Sequence, residues 1–253
     1  MQATLRKAVG VARWTGLLGR RASLGRQVVV VSPHLDDGIF SLGAAIACAT
    51  RKGADVTVLT VLAGDPSSTT PAGKWDADAG FATAGEAARV RRIEDEQACA
   101  LVRAQPLWLP FSDKQYDRGG SEAEVRAAVV EAVGDAQVVL PGFPLLHEDH
   151  AWLRRVLDGA FRADQSLLYT EQPYAAESSE RPGDDGSGPR DGVPPPAAWL
   201  RVGAALPDQL RKVKACRAYR SQLPLIGDGV VAAILRYELR VGGEAVAPVG
   251  PRP

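Results

Sequence analysis

The chain holds three histidines, and all of them fall in two short stretches. The first runs Val28-Val-Val-Val-Ser-Pro-His34-Leu-Asp36-Asp37, and the second Pro141-Gly-Phe-Pro-Leu-Leu-His147-Glu-Asp149-His150. Imidazole beside carboxylate suits Zn²⁺ or a similar divalent ion. Taken alone, the first stretch reads first as turn and cap chemistry, with aspartate accepting helix N–H groups. Two such clusters, each following an apolar run, shift the balance toward a shared site.

The elements around them say how they could meet. The valines at 28–31 read as a strand buried on both faces, as in a parallel sheet. Pro33 ends it, because proline cannot donate to a ladder. A helix is predicted over residues 39–51 and a second buried strand over 56–62, the spacing of a right-handed parallel crossover. Residues 136–140 form another strand that stops at Pro141-Gly142, with a helix over 149–161 and a further strand over 167–171. Both polar clusters therefore leave the carboxyl ends of strands, where open α/β sheets bind ligands. The alternation predicts one Rossmann-like α/β domain with a mostly parallel sheet flanked by helices.

Further helices are expected over 86–103, 122–133 and 208–221, a short strand over 107–109, and strand or helix over 229–235. The polar stretch after residue 62 is long enough to be functional, and its position would let it cover the site. Asp65 sits there, as a turn cap or a substrate contact.

Length and charge bound the answer. The 253 residues carry 30 Lys+Arg against 30 Asp+Glu, which gives no support to a nucleic-acid partner. Cys48, Cys99 and Cys216 are too widely spaced for a disulfide framework or a cysteine metal site, and they suit a reducing cytoplasm. No apolar run reaches membrane-spanning length. Residues 1–26 read as a basic helical extension, which leaves a peripheral contact with an anionic membrane open. The domain proper is expected over 27–244, with a mobile Gly/Pro/Ser-rich loop at 175–198 and a Pro-rich tail at 245–253.

With both clusters in view, His34-Leu-Asp36-Asp37 and His147-Glu-Asp149-His150 resemble the paired signature motifs of the PIG-L/LmbE-like zinc-dependent N-deacetylases. The likeness extends to about Gln222. It takes in Leu62-Ala-Gly-Asp-Pro66, Arg91-Arg-Ile-Glu-Asp95, residues 169–174 and Tyr219-Arg-Ser-Gln222. The resemblance implies an LmbE-like domain that releases acetate from an N-acetylglucosaminyl-type conjugate by attack of a metal-bound water. It implies one Zn²⁺ per chain on His34, Asp37 and His150, with Asp36 as general base. It assigns His147 to the tetrahedral intermediate or the leaving amine. Three protein ligands leave room for water and a carbonyl oxygen, and a carboxylate that does not ligate can take the proton.

Asp149 would hold a histidine from behind the metal or cap the following helix. Arg91 and Arg92 match a helix that can reach substrate hydroxyls, and Tyr174 and Gln172 could line the cleft. Three features depart from the family pattern: Leu35 stands where a proline is usual, Gly38 where a glutamate is usual, and Leu145 and Leu146 where some members place a tyrosine.

Other readings keep part of this. One is an amidase acting on another amide, such as a thiol conjugate. Another is a sugar-binding homologue with impaired turnover. A magnesium phosphoryl-transfer site fits poorly, since magnesium prefers oxygen ligands. A small-molecule amino-sugar partner is expected, and homo-oligomerisation is left open.

Overall fold

Valines 28–31 feed two cores in alternation: Val28 and Val30 pack on one side of the sheet, Val29 and Val31 on the other. In the computed structural model, residues 21–177, 199–227 and 229–249 are described. Their strand–helix alternation runs β1 Arg21–Ala22, β2 Gln27–Ser32, α1 Asp37–Arg51, β3 Asp55–Thr60, α2 Lys74–Asp78, α3 Ala84–Val102, β4 Gln105–Trp108, α4 Glu122–Val133 and β5 Gln137–Phe143. After these come α5 Glu148–Val156, β6 Ser166–Thr170, α6 Tyr174–Glu177, β7 Leu200–Val202, α7 Leu206–Cys216, α8 Leu223–Ile226, α9 Val230–Val241 and β8 Ala245–Pro248.

Among the described residues the sheet has eight strands in the order β1-β7-β8-β6-β5-β2-β3-β4. All neighbours are parallel except β8, which runs antiparallel to both β6 and β7. From β2 the chain winds outward through β3 to β4, then returns to place β5 on the other side of β2. That reversal makes the carboxyl ends of β2 and β5 the topological switch point, where a crevice opens in this class of sheet.

Helix α1 is buried from Asp37 to Ala49. Its Ile39, Phe40, Leu42 and Ile46 fill the first core with Cys99, Ala215 and Tyr219. Each such fully buried large apolar side chain contributes roughly 1.5–3 kcal/mol. The second core joins Val125, Val129 and Leu153 of α4 and α5 to Leu59, Val138 and Leu140. All three cysteines are free and buried.

Several expected boundaries move. Part of the predicted N-terminal extension is sheet: Arg21–Ala22 pair with Arg201–Val202, while residues 1–20 lie outside the described part. A two-residue strand has no periodicity to read. The expected tail is likewise not outside the domain, because β8 inserts between β6 and β7 with Ala245, Val246 and Ala247 buried. Its proline sits last in the strand, where a missing donor is tolerated. The apolar stretch after Gly229 is helix. Of the loop expected at 175–198, residues up to Glu177 belong to α6 and residues 178–198 lie outside the described part.

Lys212 is fully buried and ion-paired with Glu238 and with Glu244, the latter at 2.6 Å. Glu244 also accepts N–H bonds from Ala44 and Ala45 of α1. Burial pushes the Glu238 carboxyl up to about 7, with Lys212 opposing and Glu244 reinforcing the shift. The folded pKa lies above the ordinary value of 4.5, so this group's stabilising contribution is full below that value and is lost as pH rises through 7. The metal-free Glu238→Gln variant should therefore gain on the wild type by about 2 kcal/mol between pH 5 and pH 8. Urea denaturation of both proteins at the two pH values measures this, and a difference that stays constant would contradict it.

Candidate active site

Three neighbouring strand ends supply the site. The turn after β2 carries His34, Asp36 and Asp37, the segment after β5 carries His147, Asp149 and His150, and the residue after β6 is Glu171. Ser32 shapes the first turn: its hydroxyl donates to the His34 carbonyl (2.6 Å) and accepts from the Gly38 N–H (2.9 Å). A Cβ on Gly38 would stand 3.3 Å from both Ser32 Oγ and Val58 Cγ1, so a side chain there would have to push this turn apart. At the second strand end, Gly142 lets β5 bulge against β6, since a Cβ there would lie 2.6 Å from Leu168 Cβ. Leu145 then takes a left-handed φ of 56°, an uncommon conformation for a non-glycine residue. Its N–H donates to Glu171 Oε2 at 2.7 Å.

Asp37 Oδ2 lies 3.2 Å from His34 Nδ1 and 3.1 Å from His150 Nε2, and those two nitrogens are 3.2 Å apart. Ligand atoms around a tetrahedral ion with bonds of ~2.1 Å sit about 3.4 Å apart, so this triangle fits a divalent metal. Each imidazole is held from behind. His34 Nε2 is 3.1 Å from Asp149 Oδ2, and His150 Nδ1 is 2.7 Å from Glu171 Oε1. A proton shared with each carboxylate leaves the inward nitrogen as a lone-pair donor, the usual arrangement behind metal-binding histidines. His147 brings a third imidazole nitrogen within 4.8 Å of the other two. Its Nδ1 accepts the Asp149 N–H at 3.2 Å, which leaves Nε2 to carry the proton of the neutral ring.

Burial and neighbouring charges move the titrating groups here in opposite directions. Burial opposes protonation of His34, yet its bonds to Asp149 and Asp37 outweigh that and raise the ring to about 9. His150 is raised despite burial, by Asp37 and Glu171. Burial works against ionised Asp37, but His150 and His34 hold it well below the usual range. Asp36 goes the other way, pushed up by burial and by the adjacent Asp37 charge. Burial and the neighbouring imidazoles bring His147 down to about 4, so it is neutral near pH 7.

Asp36, Asp37, His34, His147, Asp149 and Tyr174 all face one cavity of about 690 Å³. The Tyr174 ring stands edge-on to His150, with centroids 5.2 Å apart. Arg91 lines the cavity, its guanidinium ion-paired with buried Asp76 at 2.6 Å. Arg92 and Asp65 do not line it: Arg92 donates to the Gly64 carbonyl and lies over Trp108, and Asp65 closes its own turn through Ser67. Gln172 is buried against α1, its N–H on Ser41 Oγ. Asp149 is not the helix cap, since His147 occupies that position. The segment after β3 does wall the cavity, through Lys74, Trp75 and Asp78.

Residues remote in sequence complete the site. Arg118 pairs with Asp149 Oδ1 and lies over Trp152 at 3.9 Å. Asp95 accepts from Tyr219 (2.7 Å), Glu94 from Ser221 (2.7 Å), and Gln222 donates to the Leu35 carbonyl. The two outlying stretches of the family resemblance thus meet each other and lean on the His34 turn. Glu171 went unassigned from sequence. The one available signal was an acid at the end of the strand predicted over 167–171. Arg118 had none.

A family model described as GlcNAc-PI de-N-acetylase (PIG-L) matches residues 29–161, more than half of the chain. A search of curated protein sequences finds no match. Among solved structures, the A40926 pseudoaglycone deacetylase is 25% identical, covering 90% of this chain and 99% of its own, with a TM-score of 0.71. A teicoplanin deacetylase in its zinc-inhibited form is 22% identical, with 88% and 97% covered and a TM-score of 0.69. A 4-carboxy-2-hydroxymuconate hydratase from Pseudomonas putida shares the fold at 17% identity, with 90% and 98% covered and a TM-score of 0.60. The fold therefore hosts more than one chemistry, and function has to be argued from the site.

Proposed function

The chain belongs to the PIG-L family of de-N-acetylases, and from that premise we propose that it is a metal-dependent hydrolase removing the acetyl group of an N-acetylated amino-sugar conjugate. The observation that carries this is the triangle of His34 Nδ1, His150 Nε2 and Asp37 Oδ2, with edges of 3.1–3.2 Å at the cavity wall. These three residues would hold a divalent metal. When bound, the metal polarises the amide carbonyl and lowers the pKa of water toward ~7.

The chain's own residues do the rest. Asp36, next to a ligand and facing the cavity, takes the proton from the attacking water. His147, neutral with its proton on Nε2, donates to the developing oxyanion. Asp149 and Glu171 fix the orientations of His34 and His150. Tyr174 closes the wall beside His150.

Zinc is the first choice of metal. One relative was solved in a zinc-inhibited form, so loading is tested with Zn²⁺, Co²⁺ and Fe²⁺ in turn. Three free buried cysteines suit a reducing compartment, which supports a cytoplasmic setting. Among the described residues no helix is long and apolar enough to cross a membrane.

The test is acetate release from a panel of N-acetylglucosaminides, with bound metal quantified in the same samples. About one ion per chain with acetate released supports the reading. Bound metal with release of a different acyl group would turn it into an amidase acting on another amide. Absence of bound metal after loading would remove it.

A further inference from the structure

The cavity is larger than an amino sugar needs, and its walls say what the remainder holds. At about 690 Å³ it lies well inside the ~300–1,000 Å³ range of pockets that enclose drug-sized ligands. Beyond the metal end, Leu62, Trp75, Leu225 and Ile226 contribute apolar surface. Trp75 is 40% exposed, a large aromatic face left in water by a short helix that packs beside the opening. Leu225 and Ile226 are half-buried on α8.

The charges of the wall are lopsided. Among the described residues, six carboxylates line the cavity (Asp36, Asp37, Asp78, Asp113, Asp149 and Glu177) against three cations. Each cation is already matched by an acid: Lys74 with Asp78 at 2.5 Å, Arg91 with Asp76 at 2.6 Å and Lys114 with Glu148 at 2.8 Å. A phosphate beside the sugar would find each lysine and arginine of this wall already paired with a carboxylate.

Resting on the deacetylase reading above, we propose that the substrate's aglycone is an apolar group, alkyl or aryl, carrying no phosphate. This separates the chain from the phosphoinositide conjugate that the family description names. The apolar wall would add binding that grows with the buried area of the aglycone.

The experiment compares kcat/KM of the metal-loaded enzyme on methyl, butyl, octyl and phenyl N-acetylglucosaminides and on a phosphodiester-linked N-acetylglucosaminide. From methyl to octyl, kcat/KM should rise about tenfold or more, since each covered methylene contributes about 2–4-fold. The phenyl glycoside shows whether aryl groups are preferred over alkyl groups of similar area. The phosphodiester should fall about tenfold or more below the neutral glycosides. Trp75→Ala should shrink the octyl-to-methyl ratio. Asp78→Lys, which adds positive charge at the wall, should narrow the gap to the phosphodiester by about threefold or more. A flat alkyl series, or a phosphodiester used as well as the octyl glycoside, overturns this inference and leaves the deacetylase reading standing. No acetate from any of the glycosides overturns that reading and the inference with it.

Discussion

Asp36→Ala should keep its metal and lose about 10²–10⁴-fold in kcat. The residue stands one position before the Asp37 ligand, faces the cavity, and is not one of the three atoms in the ligand triangle. Burial and the neighbouring Asp37 charge disfavour its ionised form. Removing it relieves a repulsion between adjacent carboxylates, so the folded state is not weakened and affinity for the cation is little changed. The expected signature is a split: wild-type metal content and thermal stability, with turnover lost. Metal analysis and single-turnover acetate release on the same preparation check it. A variant that retains turnover would remove Asp36 as the base, and one that loses its metal would recast it as a ligand.

Glu171→Gln should lower metal affinity by about 10–100-fold while conserving size. Both oxygens of this carboxylate are committed, Oε1 to His150 Nδ1 and Oε2 to the Leu145 N–H, each at 2.7 Å, and the side chain is 1% exposed. Both partners present protons to it. A glutamine offers one acceptor and one NH₂, so one partner must face a donor. Either His150 loses the bond that keeps Nε2 as its lone-pair nitrogen, or the Leu145 backbone is left unsatisfied at about 1–3 kcal/mol. Competition with a chelating dye measures the affinity directly and is independent of turnover. Unchanged affinity would make Glu171 a packing residue only.

Much of this protein was determined locally, by residues whose neighbours in sequence are also their physical context. The unbroken burial of Val28 to Val31, on alternate faces of the sheet, made β2 a central strand whichever helices covered it. Pro33 sets where β2 ends, whereas β5 runs past the expected stop at Pro141 and pairs with β6 as far as Phe143. The His34–Asp37 contact spans three positions, so a single turn decides it. The order of strands and helices then sent both motifs to carboxyl ends, and with them the crevice.

What only the tertiary structure decided are contacts between atoms that the chain brings together from far apart. Asp149 reaches His34 across 115 positions, Asp95 reaches Tyr219 across 124 and Gln222 reaches Leu35 across 187. A carboxylate has the same local signal whether it caps a turn or orients an imidazole, so Asp65 and Asp149 looked alike until packing separated them. Glu171 became visible only when β6 was seen beside β5. Strand β8 carries too short a pattern to be read from sequence, and its place follows from two neighbouring strands that leave a gap for it. The apolar breadth of the cavity is of the same kind. Trp75 and Ile226 sit on short helices that take their positions from the sheet and from α3, and which substrate the enzyme accepts depends on that placement.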